Sequence, residues 1–114
     1  MMNIIIGERC SGKTTRLIER SAKEQLYILT STKPRARAIF DTAKRMGLVI
    51  LYPVTVEEYF RGSKFAGSSI CRDGLLIDDL DDVLRVIFRG IPIREVTMTV
   101  YGNVERLDSF IKEG

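Results

Sequence analysis

Apolar residues fall in short runs separated by stretches with helical spacing. The first run, Ile4-Ile5-Ile6, is bounded by Gly7 and reads as a buried strand over 3–6. A helix is predicted over about 13–24, with Leu17, Ile18 and Ala22 facing inward. Leu26-Tyr27-Ile28-Leu29 is a second buried strand, ending in the polar tip Thr30-Ser31-Thr32-Lys33. Pro34 starts the next helix, where Ala36, Phe40 and Ala43 recur at helical spacing and Arg35, Arg37, Lys44 and Arg45 carry charge. Gly47 stops it. The run Leu48-Val49-Ile50-Leu51-Tyr52 is a third strand, closed by Pro53. Thr55-Val56-Glu57-Glu58 matches a capping box and opens a short helix through about Arg61.

Residues 62–74 carry Gly62, Gly67, Ser68, Ser69 and Gly74 with little apolar periodicity, which predicts one substantial, mobile loop. Leu75-Leu76-Ile77 is a fourth strand running into Asp78-Asp79-Leu80-Asp81-Asp82. The helix that follows turns Val83, Leu84, Val86 and Ile87 inward and stops at Gly90. Glu95-Val96-Thr97-Met98-Thr99-Val100-Tyr101 alternates and is β-branched, a fifth strand, and a last helix is expected over about 103–112 with Val104, Leu107, Phe110 and Ile111. Strands alternating with helices predict a single α/β domain spanning 1–114. The expected architecture is a three-layer sandwich, a mainly parallel five-stranded sheet with helices on both faces.

The first turn in this order carries chemistry. Gly7-Glu8-Arg9-Cys10-Ser11-Gly12-Lys13-Thr14 has the G-x-x-x-x-G-K-T spacing of a phosphate-binding P-loop, set between a strand and a helix as that motif requires. Its glycines let successive backbone N–H groups converge on one concavity, and the following helix aims its positive end there. The expected nucleotide contacts are Gly7, Glu8, Arg9, Cys10, Ser11, Gly12, Lys13, Thr14 and Thr15. Lys13 supplies a mobile cation for the β- and γ-phosphates, and the Thr14 hydroxyl is placed to ligate Mg²⁺. A second signature, Leu75-Leu76-Ile77-Asp78, delivers a carboxylate from a buried strand to hold that Mg²⁺. Asp79, one residue on, is the candidate for orienting or deprotonating an attacking water.

Composition narrows the setting. The 45% apolar and 29% charged fractions are those of an ordinary globular protein, and no apolar run approaches a bilayer span. The N-terminus lacks the form of a signal peptide, so the expected location is cytoplasmic, with Cys10 and Cys71 reduced. With no histidine and two cysteines, a structural zinc site is not expected. The net charge of +3 favours anionic partners mildly.

With both signatures placed, the chain resembles the additional-strand (RecA-like) class of P-loop NTPases. More narrowly, it is similar to the first motor lobe of superfamily 1 and 2 helicases and of phage terminase ATPases. The resemblance implies that residues 95–101 insert between strands 3–6 and 75–78. It sets Ser31, Thr32, Lys33 and Arg35 where those families touch a nucleic-acid backbone, and Pro53 to Tyr59 where they carry a threonine-headed turn. Thr97 to Asn103 falls at the strand that places a polar group near the γ-phosphate.

Three features depart from that pattern. Asp79 stands where a glutamate is usual, no second lobe follows, and no arginine finger is identifiable beyond the candidates Arg85, Arg89 and Arg94. A finger is worth about 10³–10⁵ in turnover, so a lone copy is expected to hydrolyse slowly. The expected function is a small ATP- and Mg²⁺-binding ATPase acting on or near nucleic acid, completed by a protein partner or by self-assembly, as in phages and mobile elements. A nucleotide-dependent binding module with little hydrolysis is the alternative. A small-molecule phosphotransferase is weaker, because residues 62–74 offer only Arg72 to a lid.

Overall fold

In the computed structural model, residues 2–62 and 69–107 are described. The elements run β1 (Ile4–Gly7), α1 (Lys13–Glu24), β2 (Tyr27–Thr30), α2 (Lys33–Arg45), β3 (Val54–Thr55), α3 (Val56–Arg61), α4 (Ser69–Asp73), β4 (Leu75–Ile77), α5 (Leu80–Ile87) and β5 (Val104–Leu107). They form two compact units, Met1–Lys13 with Ile93–Gly114 and Thr14–Pro92. No described helix is long and apolar enough to cross a membrane.

The larger unit is built on β2. This strand pairs in parallel with β3 on one side and β4 on the other, giving the order β3-β2-β4. Successive side chains of a strand face opposite ways, and here they enter different apolar clusters. Ile28 packs with Ile18, Leu26, Ile39, Ala43, Ile50 and Leu76. Leu29 packs with Val54, Val56, Ile70 and Val83. Ile18, Ile28 and Ile39 are fully buried, each contributing about 1.5–3 kcal/mol of transfer free energy.

Helix ends follow the sequence signals closely. Gly47, at φ +75°, closes α2, with Leu48 N–H donating back to Ala43 O. At α3 the capping box forms in both directions: Glu58 N–H donates to Thr55 Oγ1 at 3.1 Å and Thr55 N–H donates to Glu58 Oε1 at 3.0 Å.

The smaller unit holds a two-stranded parallel sheet in which β1 pairs with β5, Ile4 opposite Val104 through Gly7 opposite Leu107. A clamp just before the ladder sets this register. Asn103 N–H donates to Asn3 Oδ1 at 3.0 Å, and Ile4 N–H donates to Asn103 O at 2.8 Å. Gly102 lies so close to Met2 O and Asn3 Oδ1 that any side chain there would collide with them.

The predicted five-stranded sheet is therefore corrected, among the described residues, to two sheets of two and three strands, and the three-layer sandwich built on it falls with it. Two displaced strands account for the difference. The run 48–52 forms no ladder. Ile50 is buried in the core and the exposed Tyr52 rests on Phe40 with ring centroids 4.8 Å apart, and pairing waits until Val54, past Pro53. Residues 95–101 lie in no strand and are exposed throughout, so they insert between no others.

The partner of β1 is instead Val104–Leu107, where a helix was expected; the remainder of that predicted helix, from residue 108, lies outside the described residues. Alternation at 95–101 supplies two distinct faces but not a backbone partner. The Asn3–Asn103 clamp gives the partner to the later segment. Within the predicted loop 62–74, Ser69–Asp73 forms a short helix, while 63–68 lie outside the described residues. On α5, Val83 is buried and Leu84 half-buried, but Val86 and Ile87 are exposed.

Candidate nucleotide site

The loop begins where β1 ends. At Gly7 a Cβ would run into Leu107 O and Ser11 Oγ, so the tight approach of strand and loop demands glycine. Glu8, Arg9 and Cys10 are exposed, and Cys10 takes a left-handed φ of +63°. The turn is tied by Ser11 N–H donating to Glu8 O at 3.1 Å, and Gly12 follows at φ +94°. The Lys13 ammonium then reaches back over the loop, donating to Gly7 O at 3.0 Å and Glu8 O at 2.8 Å. Two of its three protons are thus committed to shaping the loop, which fixes the charge above it. Ser11 Oγ is buried and has no hydrogen-bond partner among the described residues.

Lys13, Thr14 and Thr15 are the first residues of α1, and their N–H groups have no acceptor within the helix. Such an end attracts anions.

In the larger unit the residues of the second signature converge. Asp78 directly follows β4, and its N–H donates to Leu29 O at 2.9 Å, extending the β2–β4 ladder by one residue. That bond drives its side chain inward, leaving it 1% exposed. The Thr14 hydroxyl donates to Asp78 Oδ1 at 2.8 Å, although 64 residues separate the two. The Thr30 hydroxyl, at the end of β2, donates to Asp78 Oδ2 at 3.3 Å.

Arg35 completes the cluster. Its Nε donates to Asp78 Oδ2 at 3.2 Å, and Nη2 donates to Thr14 Oγ1 at 3.1 Å and to Asp79 Oδ2 at 3.4 Å. Asp79 precedes α5 in a left-handed conformation, φ +54°, which aspartate tolerates better than most residues. The structure thus brings Thr14, Asp78 and Asp79 together. It sets Arg35 among them, apart from Thr32 and Lys33, which are exposed at the start of α2, while Ser31 is half-buried.

Sequence reasoning gave Thr30 and Arg35 no part in this cluster. A signal for Arg35 was present. The first turn of α2 carries Lys33 and Arg35 and no acid, against the helix dipole, so a cation there calls for an acidic partner elsewhere.

Among the other arginines, Arg85 pairs with Asp82 on the surface. Arg72 donates to Asp73 at 3.1 and 3.0 Å, and this hydrogen bonding, with the attraction of the carboxylate, holds its pKa above the ordinary arginine value. Cys10 and Cys71 are exposed and form no disulfide.

The donor set suits a hard divalent cation, since a threonine hydroxyl and carboxylate oxygens are grouped and already gather about a positive group. No three His, Cys, Asp or Glu side chains cluster as a self-sufficient metal site among the described residues, so such a cation would need further oxygens from phosphate or water. Comparison with protein-family models, curated proteins and solved structures gives no match to this chain.

Proposed function

We propose that the chain is a small Mg²⁺-dependent ATP-binding protein and slow ATPase, cytoplasmic, working on or near nucleic acid with a protein partner or by self-assembly. The observation that carries this reading is the 2.8 Å hydrogen bond from Thr14 to Asp78. A G-x-x-x-x-G-K-T loop and a strand-end aspartate are separate patterns in sequence, and folding joins the last residue of one to the carboxylate of the other.

On this reading the Gly7–Lys13 loop would hold the triphosphate through its amides and the Lys13 ammonium, and Thr14 and Asp78 of the larger unit would hold Mg²⁺. The metal would supply neutralisation of phosphate charge. Asp79 orients the water. ATP is favoured over GTP because no guanine-recognition motif follows β4; Thr99 to Asn103 lacks the Asn-Lys-x-Asp pattern. The exposed Thr32 and Lys33, with half-buried Ser31, are the groups offered to a nucleic-acid backbone.

One observation favours the reading as a binding module with little hydrolysis. Asp79 is engaged by Arg35 and held at a left-handed φ, a constrained setting for a general base. The phosphotransferase reading loses support, because Arg72 is paired with Asp73.

Calorimetry of ATP with Mg²⁺ on the wild type and on Lys13→Ala tests the proposal. The variant is expected to keep its circular dichroism and lose about tenfold or more in affinity, the scale of one charge-assisted contact to phosphate. Undiminished binding by the variant, or no heat from the wild type with any nucleoside triphosphate, overturns the site. Turnover measured with and without DNA or RNA at two salt concentrations separates the ATPase from the binding module.

A further inference from the structure

The Arg35 guanidinium holds the groups that a divalent cation would need. Its Nη2 uses a lone pair of Thr14 Oγ1, whose hydrogen is already given to Asp78 Oδ1. Its Nε shares Asp78 Oδ2 with the Thr30 hydroxyl, and Nη2 also reaches Asp79. An incoming cation needs the Thr14 oxygen and an Asp78 oxygen, and it meets a fixed positive charge at hydrogen-bond distance from both. The side chain of Arg35 is 39% exposed, whereas that of Asp78 is 2% exposed. Arg35 can therefore swing outward on its flexible stem, while the carboxylate cannot.

We propose that Arg35 is a built-in occupant of the divalent-cation position, so that Mg²⁺ gains Thr14 and Asp78 only by displacing the guanidinium. This rests on the magnesium role given above to Thr14 and Asp78. It assigns Arg35 a positioning part: before the metal arrives it keeps the hydroxyl and the carboxylates gathered, and it sets a threshold against bare cations. The positive charge that opposes a metal offers no repulsion to metal-free ATP, which is an anion.

The test is Mn²⁺ binding, followed by electron paramagnetic resonance without nucleotide, for the full chain and for Arg35→Gln and Arg35→Lys. Arg35→Gln should bind Mn²⁺ about tenfold or more tightly than wild type, the scale of relieving one competing charge beside a divalent ion in a half-exposed site. Arg35→Lys, which keeps the charge but not the fork, should fall between. Metal-free ATP affinity, measured in EDTA, should not rise in either variant. A purely structural Arg35 would make Mn²⁺ binding fall in Arg35→Gln, and equal or weaker Mn²⁺ binding by a folded variant overturns the proposal.

If Arg35→Gln does not fold, the wild type answers through its Arg35 Nε–H resonance. That signal should shift and lose protection from exchange as Mg²⁺·ATP saturates the chain, and an unmoved signal overturns the proposal. Absence of ATP binding in EDTA and in Mg²⁺ alike would sink the nucleotide reading itself, a result distinct from any Mn²⁺ difference between variants.

Discussion

Replacing Asp78 with Asn keeps the size and shape of the side chain and removes only its charge. The carboxylate accepts from Thr14, Thr30 and the Arg35 Nε. An asparagine can serve these three only in one orientation. Its amide nitrogen cannot face Arg35, because a guanidinium accepts nothing, so the oxygen must take that side and the NH₂ must face Thr14. The Thr14 bond then reverses, the amide donating to Oγ1; the Thr30 bond survives as a neutral contact, and the Arg35 bond keeps a charged donor but loses its ion pair. Hydrogen bonds to a charged group contribute about 1.5–3 kcal/mol and neutral ones about 0.5–1.5, so the Thr14 and Thr30 bonds each weaken by about 1 kcal/mol, and the lost ion pair with Arg35 adds about 1 kcal/mol, about 3 kcal/mol together. Arg35 is 39% exposed and water screens its share, which brings the expected loss to about 2 kcal/mol.

Urea unfolding followed by circular dichroism measures this directly. A double-mutant cycle with Arg35→Ala should show that losing the arginine costs about 1 kcal/mol less in the Asp78→Asn background. An Asp78→Asn protein as stable as wild type, or more stable, would refute the reasoning. It would mean that burying the carboxylate beside Asp79 costs as much as its three donors return.

Two further outcomes test the rest of the frame. Gly7→Ala should destabilise the smaller unit by about 2 kcal/mol or more, since the new Cβ meets the backbone at Leu107, which cannot yield as a side chain would. The amides of the β1–β5 ladder should then lose protection from hydrogen exchange, and unchanged protection would refute that account of Gly7. Thr55→Ala should cost about 1 kcal/mol by removing one arm of the capping box at α3, while Glu58→Ala, which keeps the Thr55 bond, should cost less. Equal losses in thermal unfolding would show that the two arms do not act as drawn.

Local signals were legible because their causes lie within a few residues. The Thr55–Glu58 box, the Gly47 stop and the inward set Leu17, Ile18 and Ala22 depend on turn chemistry and helical spacing, and each forms as read. On α2 the helical spacing predicts Phe40 as an inward residue, and the fully buried one is its neighbour Ile39, with Phe40 half-buried beside it.

Strand pairing was not legible in the same way. Segments 48–52 and 95–101 have every local mark of a strand, yet a ladder also needs a neighbour's edge, here that of β2 or β1, met at the right register. Those edges go to Val54–Thr55 and to Val104–Leu107.

By itself the sequence determined the bounds of α1, α2 and α3, the short strands that precede α1 and α2, and a phosphate-loop pattern followed by an aspartate at a strand end. Those are properties of neighbouring residues. Only tertiary structure decided that the sheet is split, that Thr14 meets Asp78, and that Arg35 reaches both. The reason is geometric: a side chain's partner across 48 residues is chosen by which strand ends lie side by side, and the β2–β4 register sets Thr30 and Asp78 beside each other before any charge is counted.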